Sequence, residues 1–112
     1  MEAIPTTSST GVFAISVAAE MVSMEIQNLR VYERRGLIEP DRTAGGTRLY
    51  SPQDIARLVR IRDLLAEGLN LAGIGHVLAL EAEVARLRAA NARLRLGPRG
   101  DRTRSARPST AT

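Results

Sequence analysis

Glycine punctuates this chain, and the punctuation limits what it can build. Gly36, the Gly45-Gly46 pair, Gly68 and Gly97-Pro98 each follow a stretch of apolar or mixed sequence. A glycine just past a helix takes the left-handed conformation without a Cβ penalty and ends it. The 112 residues are thereby cut into short segments, with room for one small domain and one long helix rather than two full cores.

The segments between these stops have helical spacing. Phe13 to Ile15 form a short apolar lead-in, and Ser16 is the expected N-cap of a helix of about two turns whose stripe is Ala18, Ala19, Met21 and Val22. A second helix is predicted from about Glu25 to Arg35, with Ile26, Leu29 and Val31 inward and Gly36 at its end. Residues 37–50 then read as two extended pieces around Gly45-Gly46, the pattern of a β-hairpin wing. Ser51-Pro52-Gln53-Asp54 opens a third helix, with Ser at N-cap, Pro at N1 and Asp at N3. Its stripe is Ile55, Leu58, Val59, Ile61, Leu64 and Leu65, and Gly68 closes it.

Asn70 is the expected cap of the last helix, along which a heptad runs: Val77, Val84 and Asn91 at a, Leu80, Leu87 and Leu94 at d. Three heptads cover about 30 Å, enough for a dimer seam. The alternative, a helix folded back on its own domain, is disfavoured by an opposite face of Ala and Arg. The expected organisation is mostly α: a disordered arm over 1–12, a winged helix-turn-helix over 13–69, a coiled-coil dimerisation helix over 70–96, and a disordered Arg-rich tail over 97–112.

Composition excludes several classes of function. There is no cysteine and a single histidine, His76, so disulfides, thiol redox sensing and a cysteine- or histidine-pair metal site are not expected. The aromatics are Phe13, Tyr32 and Tyr50 alone. No apolar run approaches the roughly 20 residues that span a bilayer, and residues 1–10 lack a signal-peptide pattern. The expected location is cytoplasmic, associated with the nucleoid. No nucleophile–base pair or phosphate loop stands out, so no enzyme and no cofactor are expected. All 16 basic residues are Arg, for a net charge of +4. The tail 97–112 holds four Arg and one Asp, and residues 1–96 hold 12 Arg and 11 acids. Bulk charge therefore says little, and the placement of individual arginines carries the argument.

A helix of this size enters the DNA major groove. The outward face of the second helix would present Gln27, Asn28, Arg30, Val31 and Arg34, with Arg42 and Arg48 on the rims of the wing. Gln and Asn can pair with adenine, and Arg with guanine. The same side chains would also suit a merely solvated face, and periodicity alone leaves both readings open.

The run Leu29-Arg30-Val31-Tyr32-Glu33-Arg34-Arg35-Gly36-Leu37-Ile38-Glu39-Pro40, followed by Gly45-Gly46-Thr47-Arg48-Leu49-Tyr50-Ser51, resembles the signature of the MerR family of transcription regulators over about residues 13–80. More narrowly, Ile15–Glu20 and Asn70–Ile74 are similar to the HspR-like heat-shock repressors within that family. The resemblance implies phosphate contacts at Tyr32, Arg48 and Tyr50, and base reading at Arg30 and Val31, with Gln27 a third candidate. Three features depart from the family pattern: Glu25 holds the N-cap place where Ser is common, Val31 replaces a common Tyr, and Thr47 replaces an aromatic.

These readings imply a homodimer on an inverted repeat of double-stranded DNA, acting on RNA polymerase indirectly and with no membrane partner. The heat-shock resemblance implies a repressor of stress or chaperone genes with a DnaK-type chaperone as co-regulator. The large C-terminal drug-binding domain of some relatives is not expected, because the chain ends soon after the last helix. Alternatives are an activator of another regulon, or a coiled-coil interaction module without DNA binding. Asn91 at a, and Glu83 within reach of Arg88 of a second copy, suit a parallel seam. The resemblance implies an antiparallel one, with Val84 facing Leu87 and Leu80 facing Asn91.

Overall fold

The computed structural model describes residues 8–96. In chain order these form α1 (Ile15–Val22), α2 (Ile26–Arg34), β1 (Asp41–Arg42), β2 (Arg48–Leu49), α3 (Pro52–Ala66) and α4 (Leu71–Leu96). The mostly helical class with a small hairpin is the one expected. The tail 97–112 and the first seven residues of the arm lie outside the described residues. The chain divides into two compact units, one up to Ile74 and one from Gly75. Ile74, in the first turn of α4, is fully buried.

α1, α2 and α3 end in the same way. After α1, Ser23 is left-handed (φ 58°, ψ 46°), its N–H donates to Glu20 O at 3.2 Å, and Met24 N–H reaches back to Ala19 O at 3.0 Å. After α2, Gly36 (φ 76°) donates to Glu33 O and Leu37 donates to Tyr32 O at 2.9 Å. After α3, Gly68 (φ 98°) donates to Leu65 O and Leu69 donates to Leu64 O. Each is a Schellman closure, satisfying carbonyls that the helix leaves without partners. Two arginines of α3 help: Arg62 Nη1 donates to Val22 O at 2.8 Å, and Arg57 Nε donates to Leu37 O. Arg62 thus meets the negative end of the α1 dipole and braces the turn between α1 and α2, while Arg57 holds the chain just beyond α2.

The helix starts differ more from expectation. The N-cap of α1 is Ala14, without a side-chain bond, and Ser16 lies inside the helix. The helix begins early because the residue before Ala14 is pinned in a strand pairing. Met21 is 49% exposed, one position off the buried stripe of Ala18, Ala19 and Val22, and Ile26 is likewise at the surface. α3 starts as expected, with Ser51 Oγ and Asp54 Oδ2 each taking the other's backbone N–H at 2.9 Å and Pro52 at N1. Leu58, Ile61 and Leu64 are buried, while Ile55, Val59 and Leu65 are half-buried. At α4, Asn70 Oδ1 accepts from Gly73 N–H at 2.8 Å, the cap expected there.

The hairpin pairs Asp41 with Leu49 and Arg42 with Arg48, antiparallel. Its turn is closed by Gly46 (φ 90°), whose N–H donates to Thr43 O at 2.9 Å, and by Thr43 Oγ1, which accepts from Thr47 N–H at 3.1 Å.

The expected disorder of residues 1–12 does not extend to 8–12. Ser8 O accepts from Gln53 N–H at 3.0 Å, Gly11 N–H donates to Asp41 Oδ2 at 3.0 Å, and Phe13 pairs with Tyr50 as an antiparallel bridge. The segment runs beside the wing as a partial third strand, and its backbone groups find partners there. Gly11 makes this approach possible: a Cβ at that position would lie 2.6 Å from Leu49 O and 2.9 Å from Leu49 Cβ. Gly11→Ala is therefore expected to push the segment off the wing and to cost roughly 1–3 kcal/mol, as overpacking does. Urea unfolding of the two proteins measures it, and equal midpoints would show the contact to be dispensable.

Candidate nucleic-acid interface

α2 divides cleanly by face. Leu29 and Tyr32 are buried, whereas Gln27, Arg30 and Arg34, at i, i+3 and i+7, are exposed with Asn28 beside them. Val31 is half-buried. Glu25 holds the N-cap position and makes no side-chain cap bond. Neither Arg30 nor Arg34 forms an ion pair among the described residues. This face presents amide and guanidinium donors to solvent.

The wing meets the end of that helix through one carboxylate. Arg42 and Arg48 are direct cross-strand partners, an arrangement in which like charges repel. Glu33 lies between them: its Oε2 accepts from Arg42 Nη2 at 2.8 Å, and its Oε1 accepts from Arg48 Nε. Arg42 is held further by Nη1 donating to Gly46 O at 2.9 Å. Burial alone would raise the Glu33 carboxyl above its ordinary value, but the hydrogen bonds and charges of Arg48 and Arg42 outweigh it and hold it low. The Arg48 guanidinium is raised in turn, chiefly by its hydrogen bond to Glu33.

Two residues placed at phosphates by resemblance occupy the core instead. Tyr50 is fully buried and Tyr32 nearly so. The Tyr50 hydroxyl has no hydrogen-bond partner among the described residues, and burial raises the phenol of both residues. With three aromatics in the chain, these rings are the largest fillers available to a small core. Of the expected set, Gln27, Arg30 and Arg34 share one exposed face, and Arg42 and Arg48 share one carboxylate. Glu33, Arg57 and Arg62 were not anticipated. The expected hairpin set no register, so it did not place Arg42 opposite Arg48 or call for a carboxylate between them.

In the second unit, Leu80 (64% exposed), Val84, Leu87 and Leu94 (77% exposed) form the apolar stripe of the heptad, with Asn91 also exposed and Val77 half-buried. Glu83 pairs within its own helix, accepting from Arg86 Nε at 3.1 Å.

The sequence profile of MerR HTH family regulatory proteins matches residues 13–81. The chain belongs to the MerR family. It is 48% identical over 89 residues, 79% of its length, to the "Putative heat shock protein HspR" of Streptomyces coelicolor. It is 38% identical over 73 residues to the "HTH-type transcriptional regulator GlnR" of Bacillus anthracis, a match over 65% of this chain. It spans 59% and 57% of the lengths of these two relatives. Among solved MerR-family structures, the N-terminal part of MtaN, the Bacillus subtilis multidrug transporter activator, is similar at a TM-score of 0.58 and 27% identity, covering 74% of this chain and 88% of that one.

The Glu33 cluster sets a pH dependence. A carboxyl held below its ordinary value of 4.5 contributes stability above that value and loses it as pH falls through its lowered one. Glu33→Gln is thus expected to be less stable than the parent at neutral pH, with the gap closing as the solution is acidified below pH 4.5. Thermal melts across that range check it; a gap independent of pH would deny the ion pairs their role.

Proposed function

We propose that the protein is a dimeric DNA-binding transcription regulator, a repressor of stress or chaperone genes that binds an inverted repeat. The observation that carries the DNA-binding part is the unpaired face of α2 beside a wing whose two arginines are oriented by one carboxylate. In this reading Gln27 and Arg30 reach base edges, Arg34 and Val31 border them, and Arg42 and Arg48 meet phosphates. Tyr32 and Tyr50 support those contacts from the core. The likeness to a putative heat shock protein at 48% identity supports the choice of regulon. The exposed stripe of α4 supports association of two copies, which matches a two-fold operator with two half-sites.

Arg48→Ala is expected to weaken binding to all duplexes and to flatten its salt dependence, because a phosphate contact is lost. Arg30→Ala is expected to cost roughly 1–3 kcal/mol on the selected operator and little on random DNA. Genomic fragments selected by the full chain supply that operator, and equal losses on both kinds of DNA would overturn the division of roles. Leu87→Glu is expected to give a monomer, since it places an unpaired charge in the seam; sedimentation showing an unchanged dimer would rule out this stripe. Deleting the gene is expected to raise chaperone transcripts before heat shock. Unchanged transcripts would leave a regulator with another regulon. Repeating the measurement in cells depleted of a DnaK-type chaperone distinguishes a chaperone-borne signal from heat lability of the dimer itself.

A further inference from the structure

Arg42 and Arg48 would be poor phosphate ligands if left to themselves. Each is a long side chain with several rotatable bonds, and they stand directly opposite each other on a two-residue ladder. Like charges so placed splay apart. Glu33 prevents this, and the way it does so leaves donors over. It takes Nε of Arg48 and Nη2 of Arg42, whose Nη1 is held by Gly46 O, so that Arg42 keeps its Nε–H and the second N–H of each terminal nitrogen. Neither terminal nitrogen of Arg48 makes a hydrogen bond among the described residues, and the Arg42 side chain is 46% exposed. The three groups together carry one net positive charge, and Glu33 itself is mostly covered, at 20% exposure. A carboxylate that merely opposed DNA would be expected at the surface and unpaired.

We infer that Glu33 is a positioning residue for the wing: from the recognition helix it holds the Arg42 and Arg48 guanidiniums side by side, so that their remaining N–H groups form a preorganised site for a DNA phosphate. This rests on the DNA-binding reading above and deepens it. Ordering two arginines before the encounter removes most of the entropy that a phosphate contact would otherwise cost. It also couples the wing to the helix that reads bases, so that the phosphate and base contacts share one frame.

The inference has an unusual sign. Removing a negative charge beside a phosphate site strengthens binding when the charge is only repulsive. A positioning role demands the reverse. The full chain carrying Glu33→Gln is expected to bind a random-sequence duplex on the order of tenfold more weakly than the parent at moderate salt. In a chain that already carries Arg42→Ala and Arg48→Ala, the same change is expected to cause no weakening, because nothing remains to be positioned. A merely structural role would weaken binding in both backgrounds, and that result would overturn the inference. Equal or tighter binding by the single variant would overturn it too. Glu33→Asp, which keeps the charge and shortens the reach, is run through the same cycle should Glu33→Gln fail to melt cooperatively. Should the parent bind no duplex even at low salt, the DNA-binding reading itself fails. A parent that binds while the cycle shows no coupling sinks this inference alone.

Discussion

Phe13 and Tyr50 exchange both backbone hydrogen bonds, at 2.9 and 2.7 Å, and three parts of the first unit take their positions from that pairing. On one side, Phe13 precedes the N-cap of α1, so the pairing sets where the first helix starts. On the other, Tyr50 ends the wing and precedes Ser51, the capping residue of α3. Its ring is fully buried, which anchors the strand from inside while the backbone anchors it from the edge. The segment before Phe13 follows the same line, and Gly11 allows it to lie against Leu49 without a clash. A hairpin of two residues per strand would be marginal alone. Here it is stabilised by a neighbour in the sheet and by a helix cap that starts where the strand stops.

The helices need a comparable device, because short helices spend a large fraction of their backbone groups at their ends. α1 has 8 residues and α2 has 9, so about half of their carbonyls lie in the last turn. The Schellman closures take two bonds each, and Arg62 and Arg57 add one each from α3. These arginines are five positions apart, and they reach the exits of different helices. α3 thus does more than pack against α1: it also holds the exits of both preceding helices. Ser23 bears a cost in this scheme, since a left-handed backbone disfavours any residue with a Cβ.

Much of this was legible from residues alone, and the limits are instructive. The Gly36 and Gly68 stops, the Ser51–Asp54 capping box, the Asn70 cap and the hairpin around Gly45-Gly46 follow from local chemistry, and local chemistry is what a sequence exposes. The start of α1 was not legible, because Ser16 is a good cap by type and loses to a strand pairing 37 residues away in the chain. The order of residues 8–12 was missed for the same reason: Ser, Thr and Gly read as a loose arm until Asp41 and Gln53 are seen to bind it. Tyr32 and Tyr50 illustrate a different limit. A resemblance can place a residue at an interface, yet burial depends on what else the core has to fill it. Glu33 required two inferences at once, the hairpin register and its distance from α2, and a Gly-Gly turn alone supplies neither, since a two-residue turn there would pair Arg42 with Leu49 rather than Arg48.

The second unit obeys another economy. α4 runs 26 residues, and an isolated helix of that length is supported by its own backbone and by pairs such as Glu83 with Arg86. Its apolar stripe gains nothing from either. Leu80, Val84, Leu87 and Leu94 stand in water, where each costs hydrophobic free energy that burial would return. In a parallel seam Asn91 would meet Asn91 as one polar layer and select register at a cost in stability; in the antiparallel one it would face Leu80, an apolar–polar contact. So short a seam has little stability to lose. Association through such a seam would then be specific before it was strong.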